Sequence, residues 1–228
     1  MTKKYVIIVA AGKGSRMETD VPKQFLLLHG KPVLMHAMEA FYNYDSAMQI
    51  ILVLPPEQKS YWRGLCKEHN FKIKHQTANG GETRFYSVKN GLKLVKEDSL
   101  VAVHDAARPL VSQELIAMLF QTAEEKKAAY PAISVSDTLR RLIINGSSKI
   151  MDRSKFFRVQ TPQVFFSKIL IHAYKSKYSE KYTDDVSVVE TRRLCKPTMV
   201  EGSNDNIKIT TPIDLVIAEA IFSHRKSE

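Results

Sequence analysis

The chain has 228 residues, 44% hydrophobic and 25% charged, which are ordinary proportions for an enzyme with a sizeable core. No apolar run approaches the roughly 20 residues that cross a bilayer, which argues against a membrane-spanning role. The net charge of +10 raises nucleic acid as a partner, but the basic residues are scattered and form no block or recognisable motif, so anionic small substrates explain the charge better.

The first element predicted is a buried strand, Val6-Ile7-Ile8-Val9-Ala10-Ala11, leading into Gly12-Lys13-Gly14-Ser15-Arg16-Met17 and then Pro22-Lys23-Gln24. Lys3-Lys4 before this run mimics a signal peptide, yet the apolar core is short and residues 12–23 suit a binding loop. Val33, Leu34, Ala37, Met38 and Phe41 keep helical spacing. Residues 50–54 form a strand stopped by Pro55-Pro56, and residues 71–73 suggest a shorter one. Phe85, Val88, Leu92 and Val95 mark a helix, residues 100–103 a buried strand, and Ser112 caps the next helix. Residues 130–135 are extended again. Such alternation predicts an α/β fold, Rossmann-like, with a mostly parallel twisted sheet covered by helices on both faces.

One segment breaks the pattern. Residues 138–144, Asn145-Gly146, then residues 149–151 read as a β-hairpin, since Asn-Gly is the strongest two-residue turn signal. A two-stranded ribbon is barely stable alone, and this one carries Leu139, Leu142, Ile143, Ile144, Ile150 and Met151 on both faces. It either folds back on its own domain or clasps a second subunit, and the second reading is favoured. The expected organisation is one domain over residues 1–228, with residues 137–156 as a protruding dimerisation arm. Residues 206–210 look like a strand, and Thr211-Pro212 opens a final helix with threonine as N-cap and proline at the first helical position.

Chemistry concentrates in the loops after the strands, where ligands of such sheets bind. Glycines in the first loop let backbone N–H groups approach an anion, and Arg16 and Lys23 add positive charge there. The loop is neither a P-loop nor a full dinucleotide fingerprint. The fuller string Ala10-Ala11-Gly12-x-Gly14-x-Arg16-Met17 with Pro22-Lys23-Gln24 resembles nucleotidyltransferases that couple a nucleoside triphosphate to a sugar or polyol phosphate. After residues 100–103 comes His104-Asp105-Ala106-Ala107-Arg108-Pro109, in which Asp105 can reach a magnesium ion, a ribose hydroxyl, or Arg108 in a structural pair. Cys66 and Cys195 stand far apart and read as buried, reduced thiols of a cytoplasmic protein. The histidines at 29, 36, 69, 75, 172 and 224 have no mutual ligand spacing. Trp62, Met35 and Met38 read as packing residues.

The His-Asp-Ala-Ala-Arg-Pro string resembles that of the 2-C-methyl-D-erythritol 4-phosphate cytidylyltransferases of the non-mevalonate isoprenoid pathway. Further segments agree in order: Gly80-Gly81-Glu82-Thr83-Arg84 with Ser87, Asp152-Arg153, Gln160-Thr161-Pro162-Gln163, Thr183-Asp184-Asp185, Glu201-Gly202, and residues 205–210. Ribitol 5-phosphate cytidylyltransferases are the nearest rival. They tend to carry Leu-Ala-Gly-Gly in the first loop and valine within the Asp-Ala-x-Arg motif, where this chain has Ala10-Ala11-Gly12 and Ala107.

The resemblance implies a set of roles. Ala10, Ala11, Gly12, Gly14, Arg16 and Lys23 would bind the triphosphate of CTP. Gly80, Gly81, Glu82 and Ser87 would frame the cytosine and ribose, with Asp105 and Ala106 near the ribose and metal. Lys208 would reach the α-phosphate, and Arg16, Lys23 and Lys208 would be the catalytic cations. Arg108, Thr138, Arg153, Thr161 and Thr183 would hold methylerythritol phosphate, with Asp205 at the ribose or metal. Mg²⁺ or another divalent cation would be the cofactor, with Asp105 and Asp205 as its candidate ligands. Arg153 and Thr138 belong to the arm, so in a homodimer they would enter the neighbour's site. A non-catalytic nucleotide sensor on the same fold is the reading from another class, but it has no need for three cations converging on the α-phosphate.

Overall fold

Strand β1 (Lys3–Val9) explains the architecture. Side chains alternate across a strand, so Val6 and Ile8 enter one apolar cluster while Tyr5 and Ile7 enter another on the opposite face. Both faces must therefore be covered by helices, and a strand buried on both sides reads as the continuous apolar run of the sequence. The structure, a computed structural model, describes residues 2–12, 21–96 and 98–227. Gly14 and Arg16 lie outside them.

After β1 come the short pair β2 (Leu27–Leu28) and β3 (Lys31–Pro32), then α1 (Val33–Tyr44), β4 (Gln49–Leu54), α2 (Lys59–Glu68), β5 (Gln76–Asn79) and α3 (Arg84–Leu92). Next are β6 (Ser99–Asp105), α4 (Gln113–Lys126), β7 (Ala128–Ser134), β8 (Leu139–Leu142) and β9 (Ser148–Met151). The chain closes with β10 (Phe157–Val159), β11 (Gln163–Phe166), α5 (Ser167–Ala173), α6 (Asp185–Thr191), β12 (Thr198–Glu201) and α7 (Pro212–Ser227). The main sheet is 8-stranded, in the order β10-β7-β11-β6-β1-β4-β5, with β12 pairing β7. Strands β6, β1, β4 and β5 run parallel, whereas β11 lies antiparallel between β6 and β7. The sheet is thus mixed, with its parallel half around β1.

Helices α1, α2 and α4 cover the Val6 face through Leu34, Met38, Phe41, Trp62 and Phe120. Helix α3 covers the Ile7 face through Phe85 and Val88, and Leu170, Val188 and Val189 of α5 and α6 extend that cover. Helix α3 packs close because of Gly91. A Cβ there would stand 2.8 Å from the Ile7 Cγ2 atom.

Two expected strands are absent. Residues 71–73 lie outside any ladder, and the edge strand is formed by Gln76–Asn79 instead. Phe71 and Ile73 are apolar because they pack against the Trp62 side of the core, not because they pair. Residues 206–210 form no ladder, Asn206 being in a bend, and are held by the Ile209 N–H on the Ala107 carbonyl at 2.8 Å. At the start of α7, Asp214 Oδ2 accepts from the N–H and hydroxyl groups of both Thr210 and Thr211, at 2.8–2.9 Å. The Thr211 hydroxyl thus donates to Asp214, the reverse of the N-cap expected of it. Ser112 does cap α4, accepting from the Leu115 N–H at 3.2 Å. The 139–151 ribbon forms an antiparallel pair of its own around a turn with Asn145 at φ 69°. No helix among the described residues is long and apolar enough to cross a membrane.

Candidate active site

The carboxyl ends of β1, β5 and β6 open into one cleft of about 440 Å³. Its lining includes Ala10, Ala11, Gly12, Lys23, Gly81, Glu82, Ser87, Asp105, Ala106 and Lys208. Hydrogen bonds from neighbouring strands fix the first loop: the Ala10 N–H donates to the Val53 carbonyl at 2.9 Å and the Ala106 N–H to the Val9 carbonyl at 3.1 Å. Gln24 completes this support by donating through Nε2 to the Ala10 carbonyl at 3.0 Å. It sits on the 3-10 turn Lys23–Phe25, so the same turn carries Lys23 to the cleft and pins the loop opposite.

The second loop is equally constrained. The Gly80 N–H donates to the Leu54 carbonyl at 2.8 Å, and the Gly81 N–H to Ser87 Oγ at 3.0 Å. The Ser87 hydroxyl in turn donates to the Thr83 carbonyl at 3.0 Å. A Cβ on Gly80 would stand 2.7 Å from that of Ala11. Only glycine lets the two loops approach this closely, which accounts for the motif in physical terms.

Asp105 is the electrostatic centre. Its Oδ2 lies 2.7 Å from Lys208 Nζ and 4.0 Å from Arg108 Nε, and its Oδ1 accepts from Arg84 Nε at 3.3 Å. Burial alone would raise its pKa, but the Arg84, Lys208 and Arg108 charges outweigh that and hold it well below the usual carboxylate range. Next to it, burial pushes the His104 imidazole down to about 4, so it is neutral. Its Nε2 lies 3.0 Å from the Arg108 carbonyl, which can only accept, so the proton sits on Nε2. His104 Nδ1 then accepts from the Thr161 hydroxyl at 3.1 Å, and Thr161 Oγ1 accepts from the Asp105 N–H at 3.1 Å. His104 therefore orients this loop rather than transferring a proton.

A second cavity of about 280 Å³ adjoins the first, lined by Arg108, Gln160, Thr161, Gln163, Thr183 and Asp184. Arg84, Asp105 and Lys208 line both. Of the residues expected at the acceptor phosphate, Arg108, Thr161 and Thr183 come together here. Thr138 and Arg153 do not: both are exposed, at the 139–151 ribbon, and line neither cavity. The Arg153 Nη1 donates to the Ser136 carbonyl. Asp205 also lies outside both linings, 3.1 Å from Arg225.

Two residues of the site have no role that the sequence reveals. Arg84 closes the Gly80–Arg84 motif, and its Nη1 and Nη2 grip Asp185 at 3.0 and 2.7 Å while its Nε holds Asp105. Gln163 ends the Gln160–Gln163 motif. Its Oε1 accepts from the N–H groups of Asp185 and Val186, and its Nε2 donates to Asp184, fixing the start of α6. No group of three or more His, Cys, Asp or Glu that could hold a metal occurs among the described residues. Cys66 and Cys195 are half-buried and form no disulfide.

Residues 4–224 match the family model of 2-C-methyl-D-erythritol 4-phosphate cytidylyltransferase, IspD. A protein of that name from Azobacteroides pseudotrichonymphae is 59% identical over 222 residues, covering 97% of this chain and 100% of its own. One from Phocaeicola vulgatus is 52% identical, covering 96% and 99%. Among solved structures, 4-diphosphocytidyl-2C-methyl-D-erythritol synthase from Anaerococcus prevotii superposes with a TM-score of 0.83 at 28% identity, covering 97% and 96%. The Francisella tularensis 2-C-methyl-D-erythritol 4-phosphate cytidylyltransferase superposes with 0.81 at 34%, covering 96% and 100%. Matches of this extent, over a chain that closes such a cleft, establish that it belongs to the 2-C-methyl-D-erythritol 4-phosphate cytidylyltransferase family and is a nucleotidyltransferase.

Proposed function

We propose that this cleft joins CTP to 2-C-methyl-D-erythritol 4-phosphate, releasing pyrophosphate and forming 4-diphosphocytidyl-2-C-methyl-D-erythritol for isoprenoid precursor synthesis. The observation that carries the reading is the wall of Arg84, Asp105 and Lys208 shared by two adjoining cavities. One cavity has the glycine loops for a nucleotide, the other the arginine and threonines for a phosphorylated polyol, and the cations Arg84 and Lys208 between them line both. The substrate's phosphate oxygen attacks the α-phosphorus of CTP in line with departing pyrophosphate. A phosphate monoester is already a competent nucleophile, so the chain supplies position and positive charge rather than proton transfer.

In this reading Lys23, Arg16 and Lys208 neutralise the crowded anionic transition state, and residues 80–87 frame the base. Mg²⁺ typically binds one or two carboxylates plus substrate phosphates, which suits a cleft whose shared wall carries the Asp105 carboxylate. Bound there, it would add positive charge on the triphosphate. Asp205, paired with Arg225, fits that role less well than Asp105. The same reading assigns the chain to the cytoplasm.

A substrate panel tests the assignment. With CTP and Mg²⁺, methylerythritol phosphate should be turned over at least about 10²-fold more efficiently than ribitol 5-phosphate, the discrimination one well-placed polar contact supports. Comparable use of the two would move the chain to a broader polyol phosphate specificity.

The ribbon completes the proposal as the arm of a homodimer. Leu142 is 75% exposed, Ile144 87% and Ile150 63%, an apolar surface that a second copy would cover. Arg153 and Thr138 at its base would then reach the partner's acceptor cavity. Mixing Arg153→Ala subunits with Lys23→Ala subunits should restore one working centre per heterodimer, because both lesions fall in the same composite site. A mixture that exchanges subunits yet stays inactive would show that Arg153 serves its own subunit.

A further inference from the structure

Arg84 is the least expected feature of the site, because its strongest contacts face away from the cleft. Asp185, its bidentate partner, has a side chain with no solvent exposure and also accepts from the Tyr174 hydroxyl at 2.5 Å. Its backbone N–H is bonded to Gln163 Oε1. Asp185 is thus a firmly held anchor, and the planar fork of a guanidinium gripped by both Nη atoms fixes the direction of the Arg84 Nε–H. That N–H meets Oδ1 of Asp105, while Lys208 occupies Oδ2.

The division of Asp105 between these two cations has a consequence for Lys208. To bind a phosphate in either cavity its ammonium must share or loosen a 2.7 Å ion pair with a buried carboxylate. Abandoning that carboxylate without compensation would be costly, because an uncompensated buried charge is strongly unfavourable. Arg108 compensates poorly: its Nε is 4.0 Å from Oδ2, and its Nη1 is committed to the Asn206 carbonyl at 2.6 Å. Arg84 remains on Oδ1 whichever way Lys208 turns.

We propose that Arg84 is a positioning residue that acts through Asp105 to release Lys208 for the reacting phosphate. The inference rests on the role of Lys208 proposed above. Without Arg84, Lys208 is the principal protein counterion of Asp105 and is held to it more tightly, so turnover suffers more than nucleotide affinity.

Removing Arg84 alone would strand Asp185, so the test uses Arg84→Gln together with Asp185→Asn, which removes both charges of the buried pair. The double variant should melt close to the parent and keep its KM for CTP within about threefold, while kcat falls by about 10²-fold, a typical cost of a misplaced group. Adding Lys208→Ala should then cost far less than it does in the parent, because the two lesions share one route. A parental kcat in the double variant would mean that Arg84 merely satisfies Asp185, and the inference fails. It fails equally if adding Lys208→Ala costs as much as in the parent, since the two residues then act independently. Should the double variant not fold, Arg84→Lys serves instead, since an ammonium cannot hold both carboxylates as the fork does; lowered kcat with the same non-additivity supports the proposal and parental kcat overturns it. Lys208→Ala in the parent is the control that separates the two readings. Parental turnover there would remove Lys208 from the mechanism itself.

Discussion

Lys208→Ala should lower turnover by about 10²–10³-fold while the chain stays folded. Lys208 lies on residues 206–210, which are held by backbone and by other side chains: the Ile209 N–H on Ala107, the Asn206 Nδ2 on the Thr161 carbonyl at 2.9 Å, and Arg108 on the Asn206 carbonyl. Truncating an ammonium whose side chain is 39% exposed therefore leaves the segment in place. What is lost is charge opposite the transition state, where attacking and attacked groups are both anionic. Lys23→Ala should lose turnover on the same scale, because Lys23 lines the nucleotide cavity on the opposite loop. Steady-state kinetics with a melting curve check both. Near-parental kcat in either variant removes that residue from the mechanism.

UTP should be a poorer substrate than CTP by up to about 10⁴-fold, and purine triphosphates should not be used. Preorganisation of the base-reading loop sets this preference. The loop leading into α3 has the Gly80 and Gly81 amides tied to Leu54 and Ser87, and its glycines are packed against Ala11 and Tyr86, which resists rearrangement around an altered base. A site built to pair with the exocyclic amine of cytosine leaves buried polar groups unpaired when a carbonyl replaces it. Competition between the two triphosphates in one assay gives the ratio of kcat/KM directly. Equal use would mean that another segment reads the base.

Much of this was legible in the sequence where local pattern and tertiary role coincide. The run from Val6 to Ala11 is apolar because both faces of β1 are buried, and Asn145-Gly146 turns the ribbon because Asn145 takes a positive φ. Pattern misled where apolar residues pack without pairing, as at Phe71 and Ile73, and where side-chain bonds replace a ladder, as at residues 206–210. Within the site, Lys23, Ser87, Asp105 and Lys208 follow from their motifs and do meet in one cleft. The contacts of Arg84 were not legible, because its bidentate partner Asp185 is 101 residues away in sequence. Nothing local to residue 84 distinguishes a guanidinium aimed at solvent from one locked between two carboxylates. Arg153 poses the opposite problem, since the Asp152-Arg153 motif is clear but a single chain holds it at the exposed ribbon.

In the proposed reaction the acceptor's phosphate attacks the α-phosphorus of CTP within this cleft. The most direct measurement follows label from CTP carrying ³²P at the α-position, incubated with the protein, Mg²⁺ and methylerythritol phosphate. All transferred label should appear in the diphosphocytidyl product, with an equal amount of unlabelled pyrophosphate. Label released as CMP without incorporation into the polyol, or no pyrophosphate at all, would contradict the account.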